Sequence, residues 1–399
     1  MAHAISSNPA SQHFASSRLV ELDWLRVLVF GLLIFYHVGM LYAEGWGYHY
    51  KSSYSSKLLT NFMLWSNQWR MSLLFLISGA AVSFLLAKQS WWRFIAQRVP
   101  LLLLPLVFGM LVIVVPQVYV EANSKGIIDC PNFWHFWYAY IDQSSPEFAQ
   151  HKTIGSMQLT WNHLWFLPYL LAYSLIIWAV YPLVMSPSLL PLWRWIANHT
   201  SMWVVVILPI IISYALGKWL DDKYPVTLDF VHDWFNHARS LLVFLIGFIL
   251  VRMPLIWNRF ASLRWYFLLI ATFTYAYILF SYNGGSLNGL FDDIIAKTIN
   301  SLFWTANGWF WMLSLIAWAQ YYFTSTNPVL RYLNRGVFCF YILHQTLIIV
   351  VAYWLVPKQL GGFVEPALVI VSVIIGCLVG FELVKRVPVL HLFFGVQRR

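Results

Sequence analysis

The chain has 399 residues, of which 60% are hydrophobic and only 10% charged, with a mean hydropathy of +0.66. That is too apolar for a soluble globular fold and places the chain in a bilayer. The net charge of +10 comes from basic residues scattered singly between apolar runs, which argues against nucleic acid as a partner and matches the Lys and Arg that anchor cytoplasmic loops.

Residues 1–24 are polar and lack an apolar core followed by a small-residue cleavage site, so they read as a cytoplasmic tail and not as a signal peptide. Ten apolar runs of helical length follow, near 25–42, 60–86, 100–120, 163–181, 202–217, 238–252, 264–281, 299–320, 337–356 and 367–384. The fifth and sixth have short apolar cores. The predicted fold is all-α, a polytopic integral membrane bundle of about ten transmembrane helices forming one domain over 25–386, with a basic tail at 387–399. If the N-terminus is inside, one set of turnarounds collects Lys88, Arg93, Arg98, Arg252, Arg259, Arg331, Arg335, Lys385 and Arg386. The other set collects Glu121, Asp221, Asp222, Asp229, Asp233, Asp292, Asp293 and Glu365. By the positive-inside rule both termini are then expected in the cytoplasm. The long outer connection, 121–160, contains "CPNFWHFWYAY", apolar enough to lie in the interface. Cys130 sits in that connection, while Cys339 and Cys377 lie in apolar runs; no CxxC or Cys/His spacing suggests a disulfide or a metal site.

The first run, "LDWLRVLVFGLLIFYHVGM", carries Arg26 and His37 eleven positions apart. On a helix that is about 20° beyond three full turns and roughly 16 Å of rise, so both share one face. Glu44, seven further on, is expected to continue it. Arg26 either snorkels to lipid phosphates or serves a site. His37 is either a hydrogen-bonded core histidine or a group facing a wet cavity. Arg70 lies at the outer end of the second run, and Ser78 to Ala80 supply small residues for close helix packing.

Arg93 and Arg98 flank the third run on the inner side, where they obey the positive-inside rule or bind phosphate through their planar forks. His163 stands between Trp161 and Trp165 at the outer interface, an aromatic setting that also suits a sugar ring. Arg239 is close in sequence to Asp221, Asp222, Asp229 and Asp233, giving an ion pair or the floor of an outer cavity. His344, in "YILHQ", falls one to two turns in from the cytoplasmic end of the ninth run. No GxSxG, Walker, GxGxxG or HExxH pattern is present.

Taken in order, "LDWLRVLVFGLLIFYHVGM", "FLISG", "RVPLLLLPLVFG", "HLWFLPYLL" and "FYILHQ" resemble the membrane acyltransferase-3 family over nearly the whole chain. The basic residue followed eleven positions later by His is the most specific element. Within that family, "LDWLRV" with "HLWFLPYLL" is similar to the glucans biosynthesis protein C group, bacterial inner-membrane succinyltransferases that decorate osmoregulated periplasmic glucans. The resemblance implies transfer of an acyl group, succinyl in that group, from cytoplasmic acyl-CoA to a hydroxyl of a periplasmic β-glucan. Acyl-CoA is a co-substrate, and no bound cofactor is implied.

By that analogy Arg26 and His37 carry over, together with His163, Arg70 and His344. The family often places two arginines three apart before the third helix. Here Arg98 is followed by Val99, Pro100 and Leu101, so the missing phosphate contact falls to Arg93, Arg331 or Arg335, with His344 on the donor side. The implied chemistry has His37 as general base on the acceptor hydroxyl, by direct transfer or through an acyl-histidine. Arg70 or His163 would face the oxyanion, and Arg70 or Arg239 the far carboxylate of succinate. Glu44, Trp161, Trp165 and Arg239 are the expected acceptor contacts. O-acetylation of another envelope polysaccharide and proton-coupled transport are the competing readings; recognisable paired half-helices, a transporter signature, are missing.

Overall fold

The computed structural model describes residues 19–127, 132–142 and 159–396. In chain order the helices are α1 (Val20–Tyr42), α2 (Lys57–Asn67), α3 (Arg70–Lys88), α4 (Trp91–Phe108), α5 (Val115–Ser124), α6 (Phe133–Ile141), α7 (Phe166–Val184) and α8 (Leu190–His199). They continue with α9 (Met202–Leu216), α10 (Trp234–Leu250), α11 (Pro254–Trp257), α12 (Arg264–Tyr282), α13 (Asp293–Tyr322), α14 (Pro328–Leu355), α15 (Val364–Arg386) and α16 (Leu390–Phe393). Among the described residues there is no strand, only an isolated bridge between Ala43 and Ser56. The chain is an all-α polytopic membrane bundle, because helices satisfy every backbone group internally where lipid offers no partner.

Each of the ten predicted runs falls on a helix, and among the described residues eight spans are long and apolar enough to cross a membrane. The other two are α10, with 17 residues, and α13, whose 30 residues include Asn300, Asn307 and several tryptophans that lower its hydropathy. Several spans are interrupted. Lys57–Lys88 breaks between α2 and α3, and Trp91–Ser124 contains Pro100, Pro105 and a π-helical turn at Gly109–Ile113. The third span also begins earlier than expected, at Trp91, so Arg93 and Arg98 lie within the helix and do not flank it. Polar residues placed between apolar ones extend a helix beyond its hydrophobic window. Of the expected tails, residues 1–18 and 397–399 lie outside the described residues, as do Cys130, Asp129 and Glu147.

The chain groups into two compact units, interleaved in sequence. The first comprises the described residues up to Arg26, Asn67–Arg98 and Tyr169–Asn327; the second comprises Val27–Ser66, Val99–Pro168 and Pro328 onward.

In the first unit α3 packs along α10. The contact requires glycine on both sides: a Cβ on Gly79 would strike the Phe244 carbonyl, and one on Gly247 the Leu76 carbonyl. The small-residue stretch Ser78 to Ala80 therefore does what its composition suggested. Arg252 fastens the same pair, its Nε donating to Ser83 Oγ (2.7 Å) while its guanidinium stacks on Phe248. α12 pairs with α13 through the fully buried Asn307, which donates to the Ala271 carbonyl and Thr274 Oγ1, both at 2.9 Å.

In the second unit α14 packs on α15 and α5, and a core of Val38, Leu41, Tyr42, Ile348, Ala352, Val369 and Val373 joins them to the last turns of α1. The loop after α1 is tied down by Ser52, whose hydroxyl donates to buried Glu365 at 2.7 Å. The helix α6, in the connection between α5 and α7, keeps Phe136 and Tyr140 inside and Trp134 and Tyr138 outside, the division an interfacial helix needs.

Candidate active site

The second unit brings His37, His163 and His344 together. Their rings meet edge to face in a row, His37 to His344 with centroids 5.0 Å apart and His344 to His163 5.2 Å apart.

α1 delivers His37 just over one turn before its end, and that end is closed by Lys51. Its ammonium donates to the Met40 carbonyl at 2.9 Å and the Ala43 carbonyl at 2.6 Å, placing a cation where the helix dipole favours one. Burial pushes the Lys51 pKa below its ordinary value. α1 stops at Tyr42 and the chain turns at Gly45, φ +74°. Glu44 therefore does not continue the face of His37, contrary to the expectation from helical spacing; it is exposed beyond the helix end.

His37 Nδ1 lies 2.9 Å from the Leu33 carbonyl. A carbonyl only accepts, so Nδ1 carries the proton and the neutral ring has its lone pair on Nε2. The same argument applies to His344, whose Nδ1–H donates to the Tyr341 carbonyl at 2.7 Å. Its Nε2 is then an acceptor, and it lies 3.3 Å from His37 Nδ1. The sequence placed His344 one to two turns from the start of its helix. α14 starts nine residues before the apolar run, at Pro328, so His344 is more than four turns in and buried, with 1% exposure.

His163 is also buried within the protein. It rides on a 3-10 turn, Asn162–Trp165, opened by Asn162 in the left-handed region at φ +44°. Both ring nitrogens are engaged: Nε2–H donates to the Ile342 carbonyl at 3.0 Å, and Nδ1 accepts from Gln117 at 3.2 Å. Tyr341 adds a hydrogen bond from its hydroxyl to the His163 carbonyl.

Gln117 on α5 is the hub of a buried polar chain that the sequence reading missed. Its amide N–H groups serve His163 Nδ1 and Thr346 Oγ1 (2.6 Å), and its carbonyl accepts from Asn162 at 3.2 Å and Gln345 at 3.1 Å. Gln345 passes the chain on to His49 Nε2 at 3.2 Å, and His49 Nδ1–H donates to Glu121, which also pairs with Lys125. Thr346 donates at 2.6 Å to the carbonyl of Ile113, inside the π-helical turn, and such turns are frequent at functional sites. A buried chain satisfied in this way fixes side chains closely, since any broken link leaves a desolvated group unpaired. Gln117 and Glu121 are four apart on α5, and that polar pair on one face was the available signal. His49 sits in a loop and offered none.

The remaining expected residues lie elsewhere. Arg26 is one turn into α1 and faces Asp23 at 3.4 Å. Arg70 opens α3 in the first unit and bonds Asn67 at 2.9 Å. Arg98 donates to Ser174 at 3.2 Å, and Arg93 is exposed on the same helix. Arg331 and Arg335 are exposed one turn apart at the start of α14. Trp161 and Trp165 flank His163, half-buried. Arg239 lines a cavity of the first unit. Among the described residues no group of three His, Cys, Asp or Glu side chains is set to hold a metal ion.

The acyltransferase-3 family model, an acyltransferase domain, matches residues 19–382, a stretch that contains all of these side chains. No curated protein and no solved structure matches the chain.

Proposed function

The chain belongs to the acyltransferase-3 family and is a multi-pass membrane acyltransferase; from this premise we propose that it moves a succinyl group from cytoplasmic acyl-CoA to a hydroxyl of a periplasmic glucan, with His37 as general base, in a bacterial inner membrane. The observation that carries the assignment to His37 is its tautomer. With Nδ1–H held by the Leu33 carbonyl, Nε2 is the basic nitrogen, as proton abstraction from a hydroxyl requires.

In this reading Nε2 of His37 takes the hydroxyl proton while the oxygen attacks the thioester carbonyl carbon. The carbon–sulfur bond then breaks, and the proton passes to the departing thiolate, giving the ester and free CoA thiol. Once doubly protonated, His37 has its Nδ1–H between the Leu33 carbonyl and His344 Nε2, two acceptors that stabilise the imidazolium. His344, buried beside His37, is thereby a positioning residue and not a donor contact. His163 spends both nitrogens on the protein, so the oxyanion falls to other donors, with Arg70 the remaining expected one.

Arg331 and Arg335 occupy the first two turns of α14, four apart and exposed. Like charges at that spacing repel, and a helix N-terminus disfavours cations. A phosphorylated donor relieves both, since helix N-termini and arginine forks bind phosphate. By the family resemblance alone, Arg26 and Arg93 are further donor contacts.

The test is the mass of periplasmic glucans from cells lacking their own activity and carrying this protein or its His37→Ala variant at matched membrane levels. A succinate increment that vanishes in the variant is the expected result. No increment from the wild-type protein rejects the glucan acceptor, and an increment that survives in the variant rejects His37 as the base.

A further inference from the structure

The first unit holds a cavity of about 500 Å³, within the range of small-ligand sites. Its wall comes from the end of α9, the start of α10, the start of α3 and the first half of α13. Lys218 and Arg239 are balanced there by Asp221 and Asp222, and among the described residues none of the four forms an ion pair. Arg239 is exposed as a residue, and its guanidinium rests on the Phe235 ring, 5.4 Å from its centroid, without donating a hydrogen bond to a described residue.

A second observation is independent of the charges. Trp309 lines the cavity at 4% exposure, and its indole N–H is buried with no hydrogen-bond partner. Buried donors are normally satisfied, and this one is enclosed in the cavity wall. The segment leading into α10 is held with comparable care. Fully buried Asp233 accepts from Tyr169, from the Thr227 amide at 2.9 Å and from Asn236 at 2.7 Å. Leu228 and Phe230 are kept at positive φ, 60° and 71°, conformations that persist only where the surroundings impose them.

We propose that this cavity binds a sugar residue of the acceptor glycan. The Asp221 and Asp222 carboxylates accept from neighbouring hydroxyls, the Arg239 fork donates to ring and hydroxyl oxygens, and the half-buried Trp304 offers an aromatic face to the pyranose C–H groups. A simple anion is the weaker candidate, because the lining charges cancel and the carboxylates would repel it. The proposal rests on the reading of the chain as an acyltransferase with a glycan acceptor, and it deepens that reading by naming the groups that hold the acceptor.

Full-length protein in phospholipid nanodiscs, titrated calorimetrically with a short linear β-linked glucose oligosaccharide, tests it. Wild type binds it; Arg239→Ala binds about tenfold more weakly, as expected for loss of a charge-assisted hydrogen bond. Trp304→Leu removes the aromatic face and also weakens binding. Unaltered circular dichroism shows that each variant is folded. No binding by wild type, or unchanged binding by both cavity variants, overturns the proposal. Arg239-dependent binding of inorganic phosphate or phosphocholine in place of the oligosaccharide overturns it in favour of a lipid headgroup. If the oligosaccharide binds through the cavity but glucans gain no acyl mass, the transfer reading fails and the site stands. If Arg239→Ala succinylates glucan with unchanged KM, the site fails and the transfer reading stands.

Discussion

His37 and His344 lie 307 positions apart in sequence, yet Nδ1 of the first and Nε2 of the second are 3.3 Å apart. The pairing makes a graded prediction. His37→Ala lowers kcat by about 10²–10⁴-fold, the range of a positioned base. His344→Ala lowers it by about tenfold with little change in the KM for acyl-CoA, since the residue acts on the imidazolium and not on the donor. His344→Gln keeps an acceptor there and recovers part of the loss. Steady-state succinyl transfer by membranes decides this, and a His344→Ala effect confined to KM would return that residue to the donor site.

Gln117→Leu removes four hydrogen bonds at once, those with His163, Thr346, Asn162 and Gln345. Each buried group left unpaired costs about 1–3 kcal/mol, so the thermal midpoint in detergent should fall clearly while Gln117→Glu loses less. A midpoint unchanged by the leucine would mean that water replaces the hub.

Glycine positions give a contrast within one experiment. Gly79→Ala forces a methyl into the Phe244 carbonyl, whereas Gly31 has nothing within 4 Å of its added Cβ. The first should cost about 1–3 kcal/mol of stability, and the second should be neutral or slightly favourable. Thermal unfolding of both variants, matched for expression, checks the close α3–α10 contact, which equal midpoints would contradict.

Arg331→Ala and Arg335→Ala should each raise the KM for acyl-CoA about tenfold while leaving kcat nearly intact, the pattern of lost binding that is equal in ground and transition states. Raising the salt concentration should weaken wild-type donor binding and have less effect on the double variant. A fall in kcat at constant KM would move these arginines out of the donor contact.

The spans were legible from the sequence because lipid imposes one rule, a sustained apolar helix, that can be read locally. The Arg26 and His37 spacing was legible for the same reason, α1 being regular from Val20 to Tyr42. Helix ends were less so: polar residues extended α14 back to Pro328, and Lys51 with Gly45 ended α1 before Glu44. What only the tertiary structure decided is the company His37 keeps. His344, His163, Gln117, Gln345, His49 and Glu121 come from α14, α5, a 3-10 turn and a loop. Each reads in isolation as an ordinary core or surface residue. Their roles depend on distances between segments, and on which carbonyl fixes which ring nitrogen. A linear pattern records neither.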